Sequence, residues 1–132
     1  MVKILDACAL MVYLEKEAGY EKVKELFVKA AESGNDLLMS AINWGEVFYL
    51  LVRDYGITEA EKIQRVIETL PIEFVSVDLS LTKQAALYKA TKKLPYADCF
   101  AAALAKIHKG ELITCDKDFK RVENEVKIVW MK

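Results

Sequence analysis

Apolar positions along the chain follow two rhythms. Short apolar runs at Val2–Leu5, Leu37–Ala41, Ile72–Val77, Glu111–Thr114 and Val126–Trp130 predict five strands. Helical spacing fills the intervals: Ala7–Lys16, then Tyr20–Ala31, where Val23, Leu26, Phe27 and Ala30 make one apolar stripe. Asn43 opens a helix that runs to Tyr55 and is stopped by Gly56. Thr58 opens the next, to Leu70, with Glu61 three residues on as a capping box. Ser80–Lys93 is helical, and Pro95 introduces a helix over Tyr96–Lys109 that Gly110 ends. A short turn or helix separates the last two strands. Strands alternating with helices predict a parallel sheet covered on both faces. With right-handed crossovers this is an α/β fold, an open, doubly wound three-layer α/β/α sandwich.

A length of 132 residues with a 54% hydrophobic fraction suits a single domain over residues 1–132. No apolar run approaches the roughly 18 residues of a membrane span. The opening MVKILDACAL turns acidic too soon for a signal peptide, so a soluble, cytoplasmic protein is expected. The net charge of −1, from 19 basic and 20 acidic residues, excludes a protein held to nucleic acid by bulk positive charge. Three widely spaced cysteines (Cys8, Cys99, Cys115) and one histidine, His108, fall short of a structural zinc set. Free thiols in a reducing compartment are the expectation.

The acids change the picture. In a doubly wound sheet, ligands bind outside the carboxyl ends of the strands, at a topological switch point. Asp6 directly follows the first strand, Glu46 and Asp98 lie in first turns of helices that start at that edge, and Asp116 follows the fourth strand, with Asp118 beyond it. Each has a local explanation. Asp6 reads as a helix N-cap, Glu46 as the far half of a capping box reaching back to Asn43, Asp98 as a dipole complement, and Asp116 as a turn residue. Together they are harder to dismiss. Two carboxylates about 4 Å apart repel by about 4 kcal/mol at an effective dielectric near 20, so such a group calls for a cation or for protons. An all-oxygen donor set suits Mg²⁺ or Mn²⁺. Such an ion activates water, which is the requirement of phosphodiester hydrolysis.

The segments LDACAL, NWGEV, YADCFAAALA and TCDKDF, in this order, resemble the four acidic motifs of PIN-domain ribonucleases, closest to the VapC-type toxins of toxin–antitoxin pairs. The resemblance covers essentially the whole chain. It implies strand order 3-2-1-4-5 and Mg²⁺- or Mn²⁺-dependent RNA cleavage, with Asp6, Glu46, Asp98 and Asp116 as metal-binding acids and Asp118 as a further one. It also implies Thr114 as a supporting hydroxyl, a homodimer, and a small antitoxin protein as partner. Two positions depart from the family pattern: Cys8 stands where Ser or Thr is common, and Asn43 where Thr or Ser often opens the glutamate helix.

Lys89, Lys92 and Lys93 at one helix end, and Lys117 between two acids, are candidates for RNA phosphates, or for a dressed helix terminus and a solvated loop. Trp44, Tyr49, Tyr88 and Tyr96 read as base-stacking residues or, more plainly, as core. Arg53 reads as a surface or ion-pair residue, His108 as a cation at a helix end, and Phe100–Ala105 as close packing. A signalling receiver domain is the competing reading, with Asp78 as phosphoacceptor, Asp6 on the metal and Thr114 as switch. A catalytically weak PIN-fold binding module is a third.

Overall fold

The computed structural model describes residues 1–132. Its elements are β1 (Lys3–Leu5), α1 (Ala7–Leu14), α2 (Tyr20–Ser33), β2 (Leu37–Ser40), α3 (Ala41–Tyr55), α4 (Ile57–Ile67), β3 (Ile72–Val75), α5 (Leu79–Lys92), α6 (Tyr96–His108), β4 (Glu111–Thr114), a 3-10 helix (Lys117–Val122) and β5 (Lys127–Trp130). The five strands form one sheet in the order β3-β2-β1-β4-β5. Every neighbouring pair is parallel. The sequence pattern predicted the doubly wound α/β class, and the strand order is the one that the family resemblance implied.

Period-two alternation divides the core. In β1, Leu5 packs with α1 to α4, whereas Ile4 packs with α5, α6 and the 3-10 helix. In β4, Ile113 and Leu112 repeat the division. The first layer uses the predicted stripe of α2, with Val23, Phe27 and Ala30 buried. The second rests on α6, buried without a break from Asp98 to Ala105. Its alanines let the helix lie close to Ile4 and Leu112, as the sequence suggested. Ile4, Leu5, Leu112 and Ile113 are fully buried, and truncating any one to alanine costs about 2–5 kcal/mol.

Gly110 shows how tightly the centre is built. A Cβ there would stand 2.5 Å from the Val2 carbonyl oxygen, because the Glu111 amide donates to that same oxygen at 2.8 Å. Only glycine lets the chain leave α6 and enter β4 against β1.

Two predicted helix starts are corrected. The helix expected from Asn43 begins at Ala41, capped by the Ser40 hydroxyl, which accepts from the Asn43 amide at 3.1 Å. The expected Thr58–Glu61 capping box does not form. Here α4 starts at Ile57 behind Gly56, whose backbone (φ 85°) turns the chain directly out of α3. The strand order also removes the receiver reading. It puts β3 at the sheet edge, two strands from β1, and Asp78 there spends its carboxylate capping α5 through the Leu81 amide at 2.8 Å.

Candidate metal centre

The switch point lies where β1 and β4 end side by side. Asp6 follows β1 as N-cap of α1, its Oδ1 accepting from the Ala9 amide at 2.8 Å. Its Oδ2 accepts from the Thr114 hydroxyl at 2.5 Å. The local reading of Asp6 as an N-cap therefore holds, and the second oxygen of the same carboxylate faces the end of β4. Thr114 is buried, and its Oγ1 also accepts from the Asp116 amide at 2.9 Å. One hydroxyl thus ties the ends of β1 and β4 together. Asp116 in turn caps the 3-10 helix, accepting from the Asp118 amide at 2.9 Å.

Asp98 sits in the first turn of α6, 9% exposed. One carboxylate oxygen each from Asp98, Asp116 and Asp118 lies within 4.8 Å of the other two. Asp118, the outermost acid in the sequence reading, therefore belongs to the tightest group. Its side chain also lies 3.5 Å from the Arg121 guanidinium. Glu46 projects from α3 into the same cavity as Asp98 and Asp116, a space of about 270 Å³. Its Oε1 is buried with no hydrogen-bond donor. The expected reach of Glu46 back to the Asn43 amide is absent because Ser40 already occupies that amide. Asn43 is instead buried between layers, accepting from the Ser40 hydroxyl at 2.6 Å and donating to the Ala97 carbonyl at 3.0 Å. That second bond ties α3, which carries Glu46, to the start of α6, which carries Asp98.

The electrostatics follow from this crowding. Burial pushes the Asp6 carboxyl up to about 7, against the pull of its bonds from Thr114 and Ala9, with Asp116 and Glu46 adding to the rise. Asp98 is also pushed up to about 7, by burial first and then by Asp116, Glu46, Asp6 and Asp118. Glu46 is raised as well, chiefly by burial, with the Asn43 side chain opposing and Asp116 adding. Mutually repelling carboxylates beside an orphaned buried acceptor make a site that a divalent cation would relieve. The donors are all oxygen, so the residues fit Mg²⁺ or Mn²⁺.

The cysteines require a correction. Cys8 and Cys115 are joined by a disulfide, and only Cys99 is free, in the core. Cys8 lies two residues beyond Asp6, and Cys115 one before Asp116. Once β1 and β4 pair, the two cysteines face each other across the same junction. The pairing of β1 with β4 is what brings them together.

Other expected residues fall in different places. Lys89 donates to the Leu94 carbonyl at 3.0 Å, and Lys92 pairs with Glu125 at 3.1 Å. Lys93 and Lys117 are exposed. Tyr88 is core, Trp44 stacks on Phe48, and Tyr49 and Tyr96 are exposed. Arg53 pairs with Asp54 at 2.9 Å, as expected, but the two also line the acid cavity. Sequence reasoning missed Ser40, whose cap sets the start of the Glu46 helix. Its Ser-x-x-Asn spacing was the available sign. His108 lies at the opposite edge of the sheet, lining a cavity of about 700 Å³ that includes no acid of this group.

The PIN domain family model matches residues 3–125. No curated protein matches the chain in sequence. Among solved structures, the chain is similar to DNA-bound VapBC from Salmonella typhimurium, with a TM-score of 0.79 at 14% identity over 100% of this chain and 99% of that one. VapBC-1 from nontypeable Haemophilus influenzae is similar with a TM-score of 0.73 at 18% identity, covering 99% and 98%. The sarcin-ricin loop cleaving toxin VapC20 from Mycobacterium tuberculosis is similar with a TM-score of 0.71 at 17% identity, covering 89% and 92%. A family match spanning almost the whole chain, on a fold shared with VapC-type proteins, makes this protein a member of the PIN domain family.

Proposed function

We propose that this chain is a Mg²⁺- or Mn²⁺-dependent endoribonuclease, the toxin of a toxin–antitoxin pair acting in the cytoplasm. The observation that carries the reading is the cluster of Asp98, Asp116 and Asp118 oxygens beside the unpartnered Glu46 Oε1. Asp98, Asp116 and Asp118 would hold the ion together with Asp6 and Glu46. When bound, Mg²⁺ or Mn²⁺ supplies the Lewis acidity that activates water and offsets charge on the phosphate oxygens. Thr114 orients Asp6 and the Asp116 amide from behind. Glu46 Oε1, buried with no donor of its own, would complete the oxygen set around the ion. Exposed Lys117 and Lys93 are left to meet RNA phosphates, whereas Lys89 and Lys92 are engaged within the chain. A small antitoxin and a homodimer are proposed from the likeness to VapBC complexes.

Cleavage of a labelled RNA in Mn²⁺ tests the reading. Activity should vanish in EDTA and fall by at least about 100-fold in Asp98→Asn, the scale of losing a catalytic electrostatic group. Equal cutting by wild type, the variant and the EDTA-treated chain would sink it.

A further inference from the structure

Cys8, one half of the Cys8–Cys115 disulfide, lines the acid cavity, while Cys115 packs against the core. The half-cystines belong to the first turn of α1 and to the residue between Thr114 and Asp116, with Cα atoms 6.1 Å apart across 107 residues of sequence. Both residues are half-buried, and Cys8 lines the same cavity as Glu46, Asp98 and Asp116. The cavity offers small thiols and disulfides a route to the bond from the Cys8 side. Cys99, in contrast, is buried inside α6 and has no partner. A disulfide that only braced the core would have no such access.

The bond also sits where it has mechanical leverage. Across the β1–β4 junction, Asp6 is held by Thr114, and the Asp6 amide donates to the Ile113 carbonyl at 3.2 Å. The disulfide adds a covalent link from α1 to the stretch that carries Asp116. The acids on either side of that link repel one another, so a constraint on their spacing bears on how readily they accept a cation.

We propose that Cys8 and Cys115 are a reversible thiol–disulfide pair that tunes the metal site, the bonded form holding the acids ready for the ion and the reduced form letting them separate. The inference rests on the metal-site reading above. The oxidant is a small disulfide of the glutathione class. Cys8 Sγ attacks one of its sulfurs and expels a thiol, and Cys115 Sγ then attacks Cys8 Sγ and expels the second. Two protein thiols are oxidised, one donor disulfide is reduced, and both protons leave on the released thiols. A dithiol reverses the steps.

The test uses the full chain, treated either with glutathione disulfide or with a reductant that is then removed, its fold checked by circular dichroism. Iodoacetamide labelling after unfolding should add one group to the oxidised chain and three, the full cysteine count, to the reduced one. Calorimetry with Mn²⁺ should give affinity about tenfold tighter for the oxidised form, the scale of losing a supporting contact to a ligand. The double variant Cys8→Ser/Cys115→Ser, which keeps only the buried Cys99, should bind Mn²⁺ equally before and after oxidant. Three labels after glutathione disulfide, or equal Mn²⁺ affinity of the two wild-type forms, overturns the inference alone. Failure of both forms to bind Mn²⁺ overturns the metal reading and this inference with it.

Discussion

The Thr114 hydroxyl donates to the Asp6 carboxylate at 2.5 Å, joining two residues 108 positions apart. The same oxygen accepts the Asp116 amide, so one side chain orients both acids of the switch point. Thr114→Val keeps the shape and removes the hydroxyl. It should cost about 1–3 kcal/mol, the penalty of stranding buried polar groups, and weaken Mn²⁺ binding about tenfold. Thr114→Ser should restore most of both. Thermal melts and calorimetry on the two variants decide it.

Asp98 is costly to the metal-free fold, because burial and four neighbouring acids all oppose its charge. Asp98→Asn should therefore leave the metal-free chain at least as stable as wild type at about pH 8, while removing the gain from added Mn²⁺. For wild type, an ion at about 100 times its Kd should add about 2.7 kcal/mol. Melts with and without Mn²⁺ check both, and a clear loss of metal-free stability in the variant would count against this account.

Stability should fall as pH rises through the weakly acidic range. Asp6 and Asp98 titrate near 7 in the folded chain, against 3.8 ordinarily. Between those values the unfolded chain has released the protons that the folded chain retains, so rising pH favours unfolding; above about 7 the effect levels off. Glu111 has a lowered pKa from Lys127 and so acts in the opposite sense, but below its ordinary 4.5. Melting temperatures in EDTA should decline from about pH 5 to pH 7. Saturating Mn²⁺ should flatten or reverse that slope, because the ion displaces the same protons.

The double variant Cys8→Ser/Cys115→Ser opens a covalent loop spanning 107 residues. Its stability should drop by about 2–4 kcal/mol, mainly through a freer unfolded chain. Guanidinium titrations should give a lower midpoint, and reduced wild type should behave like the variant.

Much of the fold was legible because its causes are local. Apolar runs and helical stripes follow from the geometry of one element, and the division of Ile4 from Leu5 and of Leu112 from Ile113 is a strand alternating its faces. Errors came where two local solutions competed. Asn43 and Thr58 are both good caps, yet Ser40 and the turn at Gly56 start the helices earlier because the preceding strand and helix end there.

By itself the sequence determined the order of the elements, the two-sided core and the arrival of the acids at one rim. Asp6 and Asp116 follow strand ends and Asp98 opens α6, while Glu46, expected in a first turn, lies in the second turn of α3. Only the tertiary structure decided how those acids share the rim. It grouped Asp118 with Asp98 and Asp116, left Glu46 Oε1 without a donor, and engaged both oxygens of Asp6. It also turned two presumed free thiols into a disulfide. These outcomes depend on distances between residues remote in sequence, set by the pairing of β1 with β4, and no local periodicity encodes such distances.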